Sequence, residues 1–354
     1  MADSAQSTPV ESSASTTPAP AAQQQQQQKN NKKQNRPPHP NAANAKPKPV
    51  KREVKILMLH GYTQSGPLFR AKTRALEKLL AKSFSPLNLV PTLIYPTAPN
   101  RLSVSDIPGF VPSSSSPHDS DSGGPGSASD TELTDSWAWF RREEATWNYR
   151  FINEGFERLA ETIRAVNEGA VVSDGIVTDK KVGEEGVDEP KELRGVVRSE
   201  VVDGVIGFSQ GGAMAAMLTA ALEHISPNTP RPVTTPSHES WVKELREANK
   251  GQPLKFCVSY SGFFALPEEL GWMWTPKVKT PTLHFLGSLD TVVEEARSRR
   301  LIEACEGAVE VTHPGGHYVP VSKEWVGPLV GFIRGCLKKK EERKEEEDVG
   351  SAFD

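Results

Sequence analysis

A serine lies between two glycines in the sequence GFSQG at residues 207–211, a G-x-S-x-G pattern that is typical of an activated nucleophile. Residues 201–206 are rich in valine and predict a buried strand, whereas the alanine-rich residues 213–222 predict a helix. A strand that turns into a helix within two residues strains its central residue, and flanking glycines avoid a steric collision. The pattern therefore predicts a nucleophile elbow with Ser209 at its tip.

A serine hydroxyl is a weak nucleophile at neutral pH, so Ser209 requires a base, and the base requires an acid that orients it. In proteins with such an elbow, the acid and then the histidine follow the serine along the chain, each on a loop after a strand. Asp290 follows the predicted strand TLHFLG, and His317 lies in the loop HPGGHYVP after the predicted strand AVEVT. This order predicts Ser209 as the nucleophile, Asp290 as the acid and His317 as the base.

The acid has rivals, because an aspartate is also a common N-cap residue and Asp290 precedes a predicted helix that begins near Thr291. If Asp290 only caps that helix, Glu294 or Glu295 is the alternative acid. We favour Asp290, since both glutamates are expected inside the helix rather than on the loop before it.

The base has rivals as well, namely His313, His60 and His284. His284 is central in an apolar strand and suits a packed core position, whereas His60 precedes the tight turn after the first strand. We favour His317 because the two glycines before it permit a loop that carries the imidazole over the sheet.

An anionic tetrahedral intermediate requires two N–H donors. The backbone N–H of Gln210, directly after the nucleophile, predicts one of them. The second is expected from the loop after the first strand, where His60-Gly61-Tyr62 indicates the backbone N–H of Tyr62, although the same three residues also suit a simple turn.

Strands and helices alternate along the chain, which predicts an α/β fold with a mostly parallel sheet flanked by helices. Residues 54–59 form a continuous apolar run, as in a strand covered on both faces. The sequence SGPLFRAKTRALEKLLAKSF then predicts a helix, because a serine and a proline mark its start and leucines recur on one side. Three further strands are predicted after the elbow helix, in LKFCVSYSG, TPTLHFLGS and AVEVTHPGG.

Composition limits the function classes. The net charge of -3 gives no global case for binding nucleic acid or an anionic membrane, and no apolar run approaches the ~20 residues of a membrane span. Three scattered cysteines indicate neither a disulfide framework nor a zinc site. The N-terminus lacks the apolar segment of a secretory signal, so we expect a cytoplasmic location, with the nucleus as the alternative. Phosphate-loop, dinucleotide-binding and HExxH patterns are missing, so we expect no cofactor and no metal.

Low-complexity composition predicts the domain boundaries. Residues 1–52 are rich in Ser, Pro and Gln and carry eight basic residues against two acidic ones, which predicts a disordered arm. Such an arm is either a solvated tail or a contact for an unidentified partner such as RNA or an acidic protein. Residues 53–337 are predicted to form one domain, and residues 338–354 a charged tail. Flexible polar insertions are predicted near 112–135, 170–199 and 225–250.

Several motifs together give the sequence a specific resemblance. They are KILMLHGYTQSG, YPTAP, SWAWF, GVIGFSQGGAMAAML, FCVSYSGF, PTLHFLGSLDTVV and HPGGHYVP. A chain with these motifs resembles the fungal family of serine hydrolases, which have the α/β-hydrolase fold and are related to the ovarian-cancer-gene-2 protein. The resemblance spans about residues 54–337 without the insertions.

The resemblance implies the same roles for Ser209, Asp290, His317, Tyr62 and Gln210, and it adds a substrate class. It implies an esterase that cleaves small acyl esters or thioesters, or a thioesterase that releases a polyketide or acyl chain from a synthase. Two other classes stay open, a non-catalytic binding protein with this fold and a regulatory or RNA-associated protein in which the arm matters more. The oligomeric state has no signature in the sequence. Aromatic residues expected to line the acyl pocket, unless they belong to the core, are Tyr62, Trp137, Trp139, Phe263 and Phe264.

Overall fold

A computed structural model describes residues 50–107, 109 and 133–350 of this chain. The predicted disordered arm therefore lies outside the described residues except for positions 50–52, and the predicted insertion at 112–135 lies outside them except for 133–135. The last four residues of the predicted tail also lie outside.

Six parallel strands form the central sheet, in the spatial order β6-β5-β4-β3-β1-β2. The chain first moves from β1 outward to β2 and then returns to the other side of β1 with β3. Ligands of open α/β sheets bind at the carboxyl ends of strands where the order reverses in this way. Ser209 directly follows β3, so the predicted nucleophile lies at this switch point. The strands are β1 (Arg52–Leu59), β2 (Leu89–Ile94), β3 (Gly204–Phe208), β4 (Phe256–Tyr260), β5 (Thr282–Gly287) and β6 (Val309–His313).

Helices cover both faces of the sheet, because successive side chains of a strand point to opposite faces. In β1, Leu57 and Leu59 pack with one apolar cluster, which contains α2, α3 and α4, whereas Ile56 and Met58 pack with another, which contains α1 and α6. The predicted three-layer α/β fold is confirmed. No helix of the described residues is long and apolar enough to cross a membrane. The helices are α1 (Gly66–Phe84), α2 (Ile152–Asn167), α3 (Gln210–Leu222), α4 (Glu239–Ala248), α5 (Glu295–Glu303) and α6 (Lys323–Gly350).

Short elements connect these layers. Two-stranded antiparallel pairs join Asn100–Ser103 to Leu133–Ala138, Arg141–Arg142 to Tyr149–Arg150, Ala170–Ser173 to Ile176–Lys181, and His224–Ser226 to Thr229–Pro230. Single 3₁₀ turns span Ser85–Leu87, Val104–Asp106, Lys191–Leu193 and Pro236–His238, and a longer one spans Glu268–Met273.

Two segments predicted to be flexible insertions are integral to the fold. Within 225–250, α4 buries Trp241, Val242 and Leu245 in the main apolar cluster, so this prediction is wrong. The charged residues between these apolar positions conceal a helical spacing. The segment 170–199 forms a hairpin and also pairs with the start of β1, where the Glu53 N–H donates to the carbonyl oxygen of Val197 (2.9 Å).

The helix α6 continues past the predicted domain end at 337 to Gly350, so residues 338–350 of the predicted charged tail are helical.

A buried ion pair fixes the chain after α3. Arg231 has no exposed surface, and its guanidinium contacts the Glu223 carboxylate and the carbonyl oxygens of Pro276 and Lys277. The other oxygen of Glu223 accepts from the Thr280 N–H (2.6 Å). Glu223 thus joins the end of α3 to the segment that leads into β5, the strand before Asp290.

Replacing Glu223 with glutamine should lower the free energy of unfolding by about 3–5 kcal/mol, because it leaves the Arg231 charge buried without a counterion. Urea denaturation measures this change. Glu247→Gln is the matched control, since Glu247 pairs with Lys243 on the exposed face of α4 and should contribute about 0.5 kcal/mol or less. Equal effects of the two variants would contradict the prediction.

Lys55 of β1 is a further buried charged residue. Its ammonium donates to the carbonyl oxygen of Val166 (2.8 Å), and burial lowers the pKa of Lys55 from 10.5 to about 8, while Glu53 and Asp203 partly oppose the shift. Below pH 8 the charged amine destabilises the folded state, because the unfolded chain holds the same proton without desolvation.

The stability of the wild type relative to Lys55→Met should therefore rise by about 3 kcal/mol between pH 8 and pH 10.5. In that window the unfolded state binds more protons than the folded state, so the sign is positive. Urea unfolding of both proteins across the window measures the difference, and taking the difference cancels tyrosine ionisation. Parallel curves would contradict the prediction.

Candidate active site

Ser209 lies in the turn between β3 and α3 with φ 55° and ψ -117°, a strained conformation for a residue with a side chain. Its N–H donates to the carbonyl oxygen of Tyr260 at the end of β4 (2.8 Å). A Cβ at Gly207 would collide with the carbonyl group of Gly211, and a Cβ at Gly211 would collide with the carbonyl oxygens of Leu59 and His60. Both glycines are therefore required where the strand turns into the helix.

The structure brings the three predicted side chains into a line. His317 Nε2 lies 2.9 Å from Ser209 Oγ, and His317 Nδ1 lies 2.8 Å from Asp290 Oδ2. The side chains of Asp290 and His317 are 8% and 16% exposed, so the pair is shielded but reachable from solvent. With Nδ1 donating to the carboxylate, Nε2 is free to accept the proton of the serine hydroxyl.

Asp290 uses both carboxylate oxygens. Oδ1 accepts from the backbone N–H groups of Val292 (2.9 Å) and Val293 (3.0 Å), which leaves Oδ2 for His317. Burial raises the pKa of Asp290, but these hydrogen bonds outweigh burial and hold the pKa below its usual value, so the carboxylate stays ionised. The rival acids lie elsewhere: Glu294 precedes α5, and Glu295, its first residue, pairs with Arg299.

The rival histidines are all buried. His60 donates from Nδ1 to the carbonyl oxygen of Gly61 (2.8 Å) and accepts at Nε2 from the Ala98 N–H (3.0 Å), and burial lowers the pKa of His60 to about 4. His284 lies inside β5, where burial also lowers its pKa to about 4. His313 packs its ring against Tyr318. Of the four histidines, only His317 forms a hydrogen bond with Ser209 within the described residues.

The two predicted N–H donors lie on two different elements of the fold. Gln210 is the first residue of α3, and Tyr62 lies in the loop after β1, next to the backbone of Leu59 and His60 that Gly211 contacts. Within the described residues, neither backbone N–H has a hydrogen-bond acceptor. Both are therefore free to bind an anion.

The predicted pocket aromatics divide into two groups. Trp139 has no exposed surface and its ring packs 5.2 Å from that of His60, so its prediction as a lining residue is wrong and it belongs to the core. The remaining four aromatics are half-buried, and each contacts a polar or charged group. They are Tyr62, Trp137, Phe263 and Phe264. The Tyr62 hydroxyl donates to the Asp106 carbonyl oxygen, Trp137 Nε1 donates to Asp135, and arginine side chains cover Phe263 and Phe264.

Two contributors to the site were missed from the sequence. Ser261, directly after β4, is buried with φ 46°, and its hydroxyl contributes to the lowered pKa of Asp290 although the two groups lie outside hydrogen-bond geometry. Gln210 was predicted only as a backbone N–H donor, but its side chain also makes two buried hydrogen bonds to residues 139–140. Two sequence signals could have indicated these contributors. One is the polar side chain next to the serine of the G-x-S-x-G pattern, and the other is the Ser-Gly pair after β4. Within the described residues, no group of three His, Cys, Asp or Glu side chains is arranged to hold a metal ion.

Comparison with known proteins identifies the family of this chain. The family model described as "Serine hydrolase (FSH1)" matches residues 50–329, most of the chain, so the protein belongs to the FSH1 serine hydrolase family, as the sequence motifs predicted.

Three named relatives are 27–29% identical to this chain. Over 272 residues the chain is 29% identical to a Schizosaccharomyces pombe protein named "Dihydrofolate reductase", which covers 77% of this chain and 45% of that protein. It is 28% identical to "Family of serine hydrolases 3" of Saccharomyces cerevisiae (82% of this chain, 87% of the relative) and 27% identical to "Esterase OVCA2" of Danio rerio (79% and 96%). The chain spans about half the length of the two S. pombe relatives that it matches.

Proposed function

We propose that this protein is a carboxylesterase-type serine hydrolase that cleaves acyl esters or thioesters through an acyl-Ser209 intermediate. The observation that carries the proposal is the unbroken hydrogen-bond chain from Ser209 Oγ through His317 to Asp290, with distances of 2.9 Å and 2.8 Å. These contacts suit a catalytic triad, and the strained turn at Ser209 suits a nucleophile elbow. Membership of the serine hydrolase family and the esterase name of one relative support the same activity.

In the first step, Ser209 Oγ attacks the carbonyl carbon of the substrate while His317 Nε2 accepts the hydroxyl proton. The electron pair of the carbonyl bond moves to oxygen, and the Tyr62 and Gln210 N–H groups stabilise the resulting oxyanion. Asp290 stabilises the imidazolium and keeps Nδ1 protonated. Collapse of the intermediate breaks the ester or thioester bond, and His317 returns its proton to the departing alkoxide or thiolate.

In the second step, water attacks the acyl-serine carbonyl and gives its proton to His317 Nε2. The second tetrahedral intermediate uses the same two N–H donors. Collapse releases the carboxylic acid and restores the serine hydroxyl with the proton held by His317.

Labelling with a fluorophosphonate probe, followed by peptide mapping, tests the proposal. An activated serine should form a phosphonyl adduct on the peptide that contains Ser209, and p-nitrophenyl esters of several acyl lengths should be hydrolysed. A folded protein that neither labels nor hydrolyses any of these esters would overturn the proposal and favour a non-catalytic binding protein with this fold.

A further inference from the structure

One segment, residues 137–140, hydrogen-bonds both to the loop that contains Tyr62 and to the Gln210 side chain. On the side of Tyr62, Trp139 Nε1 donates to the carbonyl oxygen of His60 (2.9 Å), and the Thr63 N–H donates to the carbonyl oxygen of Trp137 (3.0 Å). The loop that presents the Tyr62 N–H is therefore bonded two residues before and one residue after Tyr62.

The same segment holds the other donor through the Gln210 side chain. The Trp139 N–H donates to Gln210 Oε1 (2.8 Å), and Gln210 Nε2 donates to the carbonyl oxygen of Phe140 (2.7 Å). Gln210 is 5% exposed, so these bonds form away from competing water. Both ends of the amide are used, which fixes its orientation.

The bonds form a continuous path from one donor to the other, through Gln210, Trp139 and His60. His60 joins this path through its backbone carbonyl oxygen, and burial lowers the pKa of its imidazole to about 4, so that side chain is neutral at neutral pH. Trp139 is fully buried, so its indole has no alternative acceptor in solvent.

We propose that the Gln210 side chain and the Trp139 indole form a clamp, defined by their hydrogen bonds to residues 140 and 60, that sets the spacing of the two oxyanion donors. The inference rests on the proposed function and assigns positioning roles to these two side chains. Oxyanion stabilisation depends steeply on geometry, because a displacement of about 1 Å costs on the order of 100-fold in rate. Without the clamp, each donor loop loses a fixed point and the donors no longer converge on one oxygen.

Two substitutions test the clamp, one at each of its two side chains. Trp139→Phe keeps a buried ring but removes the N–H that reaches His60, and Gln210→Met keeps the length of the side chain but removes both amide contacts. We expect each to lower kcat for p-nitrophenyl esters by about 10- to 100-fold, with KM changed by less than about threefold. The loss in the double variant should be smaller than the product of the single losses, because both act through one path.

Trp241→Phe is the matched control. Trp241 is also a buried tryptophan, but its Nε1 has no hydrogen-bond partner among the described residues, and it lies in α4. The same ring reduction there should leave kcat unchanged while lowering stability by a similar amount.

A readout specific to the oxyanion separates positioning from general loosening. Trifluoromethyl ketones add to the serine and form a tetrahedral oxyanion, so their affinity should fall in the clamp variants by the same factor as kcat/KM. The pH profile of kcat/KM should keep its position, since Asp290 and His317 are not changed.

The outcomes are distinguishable. If the wild type hydrolyses esters but folded Trp139→Phe and Gln210→Met lose no more activity or inhibitor affinity than Trp241→Phe, the clamp is overturned and the proposed function stands. If the wild type itself is inactive and unlabelled, the proposed function fails and the clamp fails with it.

Discussion

Ser209→Ala should lower kcat for p-nitrophenyl esters by about a million-fold relative to the wild type and abolish fluorophosphonate labelling. Without the hydroxyl, His317 has no nucleophile to deprotonate, and the tetrahedral adduct does not form on the protein. Residual rate above that of buffer is limited to what the two N–H donors and substrate positioning supply, about 10³- to 10⁴-fold over water in enzymes of this kind. Steady-state kinetics with enzyme-free controls measures the loss.

A second variant at the same position controls for folding. Ser209→Gly should be equally inactive, but it should be more stable than Ser209→Ala by about 1–2 kcal/mol, because glycine adopts φ 55° and ψ -117° without strain. Thermal or urea unfolding compares the two. Substantial turnover in either variant would show that a different residue attacks the ester.

Asp290→Asn should lower kcat by about 10⁴-fold without a large loss of stability. The backbone N–H groups of Val292 and Val293 point at Oδ1, so the amide oxygen of an asparagine would occupy that position. Its NH₂ group then faces His317 Nδ1 and favours the tautomer in which Nε2 carries the proton. An imidazole protonated at Nε2 donates to Ser209 Oγ and cannot accept its proton.

The pH dependence and a matched variant test this account. Raising the pH should not restore the activity of Asp290→Asn, because the tautomer is wrong rather than the charge. Glu295→Gln, which removes the rival acid at the start of α5, should change kcat by less than about twofold. Loss of activity in Glu295→Gln with retention in Asp290→Asn would reverse the assignment.

Much of the arrangement could be predicted because the relevant signals are local. The glycines at 207 and 211 mark the turn at Ser209, and the carboxyl ends of parallel strands lie at one edge of a sheet, so a linear order of loops becomes a spatial cluster. The three side chains then meet although Ser209 and His317 are 108 residues apart. The predicted parallel sheet, the helix α1 after the first strand and the core position of His284 follow from the same local patterns.

What could not be predicted depends on tertiary contacts. Trp139 suits a pocket and a core equally well by residue type, and only its bond to the His60 carbonyl oxygen decides between them. Likewise, the burial of α4 depends on its packing against α2, where Trp241 stacks on Phe156 at 4.0 Å. A charged segment with four apolar positions does not disclose that partner. Ser261 lies near Asp290 only because β4 lies between β3 and β5, the strands that precede the nucleophile and the acid.

The position of β6 at the edge of the sheet has a consequence for how the protein matures. His317 follows β6, the last strand of this sheet in chain order, so a nascent chain that ends before β6 contains Ser209 but lacks the base. Contacts between residues so far apart form late in folding, because closing a long loop costs entropy before it yields any contact. During refolding, the rate at which the serine becomes reactive to a covalent probe should therefore report the formation of the Ser209–His317 contact. Far-ultraviolet circular dichroism should report the earlier formation of helices.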